Sequence, residues 1–248
     1  MGGLGDCLLA AASLQYLDAD CYFKTSPLLK PLFEYHPNII YKEDAYDPNS
    51  GSDINFKWVS QIHNKDLYPL HTMQRFSSQL GFYIDPTDVF TVYNSKGNRS
   101  INEPTRSTIC INQFSNEPTR RYIPDEYLDL ILDRYSNYEI VWIGSNKRDS
   151  VTDIHEMVNQ LLSCKLFIGP VSFCYHLASC LRTKSVLFTN YMPEHKFSHF
   201  FNTIAINPKN SSCRFTCEKD NVQCKVGCGA QIYDKQLMLD LIDRALYA

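Results

Sequence analysis

The sequence predicts an α/β protein made of two Rossmann-like domains with parallel sheets, plus a small cysteine-rich finger near the C-terminus. Three observations carry this. Short apolar runs of strand character alternate with amphipathic stretches of helical length, most regularly after residue 107, as strands joined by crossover helices do. Two glycine-bearing loops lead into helices: Gly2-Gly3-Leu4-Gly5-Asp6 at the start, and Gly169-Pro170-Val171-Ser172 after the apolar run Lys165-Leu166-Phe167-Ile168. A segment rich in Asn, Ser, Pro and Arg, residues 94–107, lies between the two halves as a linker.

Leu8, Leu9, Ala12, Leu14 and Leu17 share one face, which predicts a helix over residues 6–18 opening at Asp6. A buried strand ordinarily precedes such a loop and there is no room for one ahead of Gly2, so either the numbering starts downstream of the true start or the first sheet lacks its usual central strand. Cys21-Tyr22-Phe23-Lys24 reads as a strand. Ser26-Pro27 then reads as an N-cap followed by proline at the first helical position, with the helix running to Tyr35. Residues 38–42 are a short strand, 43–52 a polar loop and 54–59 another strand, and helix signals return over 69–80, ending at Gly81 in the favoured C-cap place. In the second half the expected order is strand 108–112, helix 124–134, strand 139–143 ending in Gly144, helix 151–162, strand 165–168, helix 172–182 and strand 185–188. The domains follow: 1–100, 107–210, a four-cysteine finger over 211–230 and a C-terminal helix over 231–248.

At 248 residues and 44% hydrophobic content the chain can bury a core in each of two domains. A net charge of −3 and a pI near 6.2 give no general attraction to nucleic acid. The basic residues gather instead in a patch of Lys96, Arg99, Arg106, Arg120 and Arg121, which a solvated linker would also explain. No run of 18 apolar residues and no signal peptide is visible, so a cytoplasmic protein without a transmembrane segment is expected. Six of the ten cysteines (Cys7, Cys21, Cys110, Cys164, Cys174, Cys180) fall within apolar elements, as buried thiols do in a reducing compartment.

The loop at Gly169 has the geometry of a phosphate site: a strand, a Gly-Pro turn, then a helix capped by Ser172 whose first N–H groups face out from the sheet edge. With the glycines at the start, it points to a nucleotide-type ligand. Asp18-Ala19-Asp20 spells a D-x-D pair, but between a helix end and a strand start rather than after a strand, so no catalytic metal is assigned to it. Cys213, Cys217, Cys224 and Cys228 form C-x3-C-x6-C-x3-C in a stretch too short and polar for its own core. Four thiolates closing a structural zinc or iron site would fold it, and two disulfides or free thiols are the other readings.

With these motifs in place, the chain resembles the ADP-heptose:lipopolysaccharide heptosyltransferase family, whose members have the two-domain GT-B fold. Four segments in family order carry the resemblance: Gly3-Leu4-Gly5-Asp6-Cys7-Leu8-Leu9-Ala10; Asn112-Gln113-Phe114-Ser115 with Arg120-Arg121-Tyr122-Ile123-Pro124; Trp142-Ile143-Gly144-Ser145; and Phe167-Ile168-Gly169-Pro170-Val171-Ser172 with His176-Leu177-Ala178. The resemblance implies that Asp6 stands at the proposed catalytic base, Arg120 at the contact to the donor diphosphate, and Ser172 at the phosphate-binding helix start. Gly3, Gly5, Ser115, Arg121, Gly144 and His176 complete the candidate donor-binding set. Some relatives carry cysteines in the C-terminal region, and one protein-modifying branch binds iron in such a finger. Val171 departs from the pattern, because the family usually has there an aspartate that contacts the donor sugar.

Each candidate also has a plainer role. Asp6 can cap its helix, Arg120 and Arg121 can be solvated, and His176 can be a packing residue. The expected function is metal-independent, inverting transfer of a sugar from a nucleotide diphosphate to an acceptor hydroxyl, the acceptor being a saccharide, a protein or a modified nucleic acid. The alternative is a catalytically degenerate binding module that docks a partner through its cysteine finger and basic linker. A nicotinamide dehydrogenase is disfavoured, because Gly3-Leu4-Gly5-Asp6-Cys7-Leu8 lacks the third glycine of the dinucleotide fingerprint.

Overall fold

Short β-branched and aliphatic runs become strands here because a parallel sheet covered on both faces tolerates continuous apolar sequence. In the computed structural model, which describes residues 4–17, 21–24, 26–33, 39–42, 72–85, 107–115, 121–144, 149–190, 203–209 and 231–247, the chain divides into two compact units, Met1–Ser100 and Ile101–Ala248.

In the first unit, helix α1 (Leu4–Leu14) buries Leu8, Leu9, Ala11 and Ala12 and packs against α3 (Thr72–Ser77). Strands β1 (Cys21–Lys24) and β2 (Ile39–Lys42) pair in parallel, Cys21 opposite Ile39. Ser26 caps a single 3-10 turn, Pro27–Leu29, its hydroxyl accepting from the Leu28 N–H at 3.4 Å, and the turn runs on into the short helix α2 (Lys30–Phe33). A 3-10 turn, Ser78–Leu80, extends α3 and ends at Gly81, whose φ of 86° is the left-handed C-cap expected of glycine. The expected strand at 54–59 lies outside the described residues, as does Asp18-Ala19-Asp20.

The second unit holds a five-stranded parallel sheet: β3 (Thr108–Ile111), β4 (Glu139–Trp142), β5 (Leu166–Pro170), β6 (Ser185–Phe188) and β7 (Thr203–Ile206), in the spatial order β4-β3-β5-β6-β7. Helices α4 (Asp125–Arg134), α5 (Ile154–Ser163) and α6 (Phe173–Cys180) link successive strands, and α7 (Lys235–Tyr247) follows β7. The core is Ile109, Ile111, Leu166, Ile168, Val186 and Phe188 from the strands, closed by Tyr127, Ile131, Tyr233, Met238 and Ile242. Tyr233 meets Tyr127 and Phe188 edge-on, with ring centroids 5.2 and 5.1 Å apart.

Among the differences from the sequence expectation are two helix boundaries and one added strand. The first helix begins at Leu4 and ends at Leu14, so Asp6 lies inside its first turn instead of capping it. The helix expected over 151–162 starts at Ile154, because Val151 bridges to Ile143 and Asp153 is the cap, its carboxylate accepting from the Glu156 N–H at 2.9 Å. Strand β7 is an element the sequence reading did not contain.

Candidate functional site at the carboxyl edge of the second sheet

The order β4-β3-β5-β6-β7 reverses direction between β3 and β5: the chain runs from β3 outward to β4, then crosses back to β5 on the other side. Open α/β sheets bind ligands outside the carboxyl ends of the strands at such a reversal. Here those ends are tied together by Asn112. Its backbone N–H donates to the Ile168 carbonyl at 3.0 Å, joining β3 to β5, and its side-chain amide donates to the Ile143 carbonyl at 3.1 Å, joining β3 to β4. The same amide donates to the Phe114 carbonyl at 2.9 Å and shapes the loop that follows.

The two glycines at this edge are there because nothing larger fits. A Cβ on Gly144, whose φ is 68°, would lie 2.5 Å from Cys174 Sγ and 3.0 Å from Asn112 Nδ2. A Cβ on Gly169 would lie 2.6 Å from Phe167 Cζ and 3.1 Å from the Asn112 carbonyl. The Gly144 turn, Asn112 and the first turn of α6 therefore meet at one point.

Ser172 begins that helix as expected. Its backbone is extended, with φ −155°, and its hydroxyl accepts from the Tyr175 N–H at 3.3 Å. The first turn of a helix presents N–H groups that no carbonyl of the helix itself can reach, at the positive end of its dipole. His176, one turn in, is 5% exposed. Burial, helped by the positive charge of Arg121, pulls its pKa down to about 3, so it is a neutral imidazole at physiological pH. Cys174 is pushed up to about 12 by burial, which makes it a packing thiol and not a nucleophile.

Arg121 reaches this edge on a pinched loop. The Ser115 N–H donates to the Arg121 carbonyl and the Ile123 N–H donates to the Gln113 carbonyl, both at 3.0 Å, and Phe114 and Tyr122 form an antiparallel bridge between them. Gln113 donates to Asp125 Oδ1 at 2.7 Å and fixes the loop to the start of α4. Of the candidate residues, Ser115, Arg121, Gly144, Ser172 and His176 thus belong to one sheet edge. Gly5 and Asp6 lie on α1 of the first unit, Gly5 buried and Asp6 half-buried. Gly3, Arg120, Cys213, Cys217, Cys224 and Cys228 lie outside the described residues. Among the described residues no group of three or more His, Cys, Asp or Glu side chains is placed to hold a metal, and no helix is long and apolar enough to cross a membrane. Asn112, directly after β3, and Asn190, two residues after β6, are not among the expected site residues, and in sequence each is only an asparagine following a strand run.

No family model matches the sequence, and no curated protein does. Solved structures do. The iron-containing dodecameric glycosyltransferase TibC from enterotoxigenic E. coli H10407 matches with a TM-score of 0.63 and 16% identity, over 99% of this chain and 75% of its own. The ADP-heptose lps heptosyltransferase II of E. coli matches with a TM-score of 0.60 and 11% identity, over 98% and 94%. The family 9 glycosyl transferase from Veillonella parvula DSM 2008 matches with a TM-score of 0.67 and 14% identity, over 99% and 95%. TibC has also been solved in complex with ADP-D-beta-D-heptose. At these identities the likeness is one of fold: the chain is similar in fold to solved heptosyltransferases and to a family 9 glycosyltransferase.

Proposed function

We propose that the chain is a glycosyltransferase that takes a nucleotide diphosphate sugar as donor and transfers the sugar to an acceptor hydroxyl with inversion. The observation that carries this reading is that the Arg121 loop, which follows β3, and the Ser172-capped start of α6, which follows β5, both lie at the carboxyl edge where the strand order reverses. A cation and a helix N-terminus at one sheet edge suit a diphosphate, and so does a neutral His176 that adds no charge of its own. In the transfer, the acceptor oxygen forms a bond to the anomeric carbon as the bond to the diphosphate breaks. The diphosphate leaves with the electron pair, stabilised by Arg121, Arg120 and the helix start. The acceptor proton passes to Asp6, acting as general base. No step uses a metal.

The thiolates of Cys213, Cys217, Cys224 and Cys228 suit a structural iron or zinc, which would organise the segment around them. The solved neighbour TibC is iron-containing. Valine at 171, 1% exposed, gives the donor sugar no polar handle beside the helix start, and this favours the binding module as the second reading.

A thermal-shift panel of nucleotide sugars, with ADP, UDP and GDP alone, tests the proposal. A ligand at 100 times its dissociation constant adds about 2.7 kcal/mol to stability. A hit lost in Arg121→Ala or Arg120→Ala and kept in Asp6→Asn supports the transferase and names the donor. No hit anywhere in the panel supports the binding module.

A further inference from the structure

Two residues past the end of β6, Asn190 sits in left-handed backbone with φ 55°, a conformation asparagine tolerates better than most residues. Its side chain is 1% exposed, and its amide nitrogen faces three acceptors: the Tyr122 carbonyl at 2.8 Å, the Tyr233 hydroxyl oxygen at 3.2 Å and Gln231 Oε1. The Tyr233 hydroxyl gives its own proton to Gln231 Oε1 at 2.7 Å. Turning the amide over would set an oxygen against the Tyr122 carbonyl and Gln231 Oε1, so the nitrogen belongs where it is. Asn190 Oδ1 is left buried, with no hydrogen-bond partner among the described residues.

A buried acceptor left over and left-handed backbone are two local costs at one position, and such costs gather where a side chain is holding something in place. What Asn190 holds is the carbonyl of Tyr122, the residue next to Arg121. One of its other partners is anchored in the core: the Tyr233 N–H donates to the Tyr127 hydroxyl at 2.9 Å, and the Tyr233 ring packs against Phe188. The loop hydrogen bonds from Ser115 and to Gln113 fasten the Arg121 segment from the β3 side, and Asn190 fastens it from the β6 side.

We propose that Asn190 is a positioning residue, which ties the Arg121–Tyr122 segment to the core and so sets Arg121 toward the donor diphosphate. The diphosphate part of this rests on the transferase reading; the tie itself does not. Asn190→Gly keeps the left-handed backbone and removes the amide, while Asn190→Asp keeps the shape and removes the donor. Gln231→Ala loosens the same tie from its other end. In each variant the Ile123 amide, which donates to Gln113, should exchange with deuterium at least about tenfold faster than in the wild type, a change of about 1.4 kcal/mol in local opening. The Phe167 amide, which donates to Lys184 across β5 and β6, should exchange as before. Calorimetry with ADP, UDP and GDP should show the dissociation constant of whichever binds rising by about tenfold. Unchanged exchange at Ile123 in Asn190→Gly and Gln231→Ala would overturn the proposal, as would unchanged affinity in both. If none of the three diphosphates binds the wild type, the transferase reading fails, and exchange at Ile123 still decides whether Asn190 holds the segment.

Discussion

The two glycine-bearing helix starts look alike in sequence and differ in the fold. At α6, an extended Ser172 stands between the strand and the helix, and a cation, Arg121, is near enough for its charge to depress the pKa of His176. At α1, the helix already begins at Leu4, which brings a carboxylate, Asp6, into the first turn. An acid there is stabilised by the helix dipole and takes the charge an anionic ligand would otherwise bring. The α6 start is therefore suited to receive a diphosphate. The α1 start carries a carboxylate of its own, the kind of group a general base needs. On the proposed reading, one start binds and the other takes the proton.

The sharpest way to break this contrast is Asp6→Asn. The exchange should lower kcat by about 10²–10⁴ and leave the dissociation constant of the nucleotide unchanged, since a base acts on the transition state and not on donor binding. Loss of nucleotide affinity in this variant would instead place Asp6 among the binding groups.

Next comes Gly144→Ala. The new methyl would meet Cys174 Sγ at 2.5 Å in left-handed backbone, so chemical denaturation should show a loss of about 3 kcal/mol. Gly81→Ala is the control in the other unit: its φ is 86°, but nothing lies within 4 Å, so the cost should be only the backbone part, about 1 kcal/mol. Equal losses would mean that the α6 edge is not close-packed.

A smaller effect follows from His176. Its folded-state pKa, about 3, lies below the ordinary value. Below about pH 6.5 the unfolded chain takes up a proton that the folded chain does not, so this contribution is whole above pH 6.5 and shrinks as the pH falls. Between pH 6 and 4 wild-type stability should fall by up to about 1.4 kcal/mol per pH unit from this group, and His176→Gln should show a shallower slope. An identical slope would place the imidazole in water. Smallest is Ser172→Ala, where losing the cap should cost about 1 kcal/mol in stability.

Much of the second unit was legible in the sequence, because parallel strands covered by helices leave continuous apolar runs such as Thr108-Ile-Cys-Ile111 and Ser185-Val-Leu-Phe188, and caps such as Ser172 carry a local chemical signature. Thr203-Ile-Ala-Ile206 is as apolar, but the sequence before it lacks the amphipathic periodicity that marks the other crossovers, so it does not stand out as the next strand of the series. The start of α1 differs from the expected one because glycine reads as a loop residue, whereas Gly5 is helical and buried. The place of the site was only half legible. Ser172 announces a helix start, but the reversal between β3 and β5 depends on which strands pair, and pairing is set by long-range packing. Asn112 and Asn190 act through side-chain bonds to carbonyls 31 and 68 positions away, and in sequence each is only an asparagine after a strand.

The most direct measurement is calorimetric titration of ADP, UDP and GDP into the wild type, Arg121→Ala and Asp6→Asn. The account predicts that one diphosphate binds the wild type and Asp6→Asn alike, and that Arg121→Ala weakens it by about 2 kcal/mol, roughly thirtyfold. Binding that is indifferent to Arg121, or no binding of any diphosphate, would contradict the assignment of the α6 edge as the donor site.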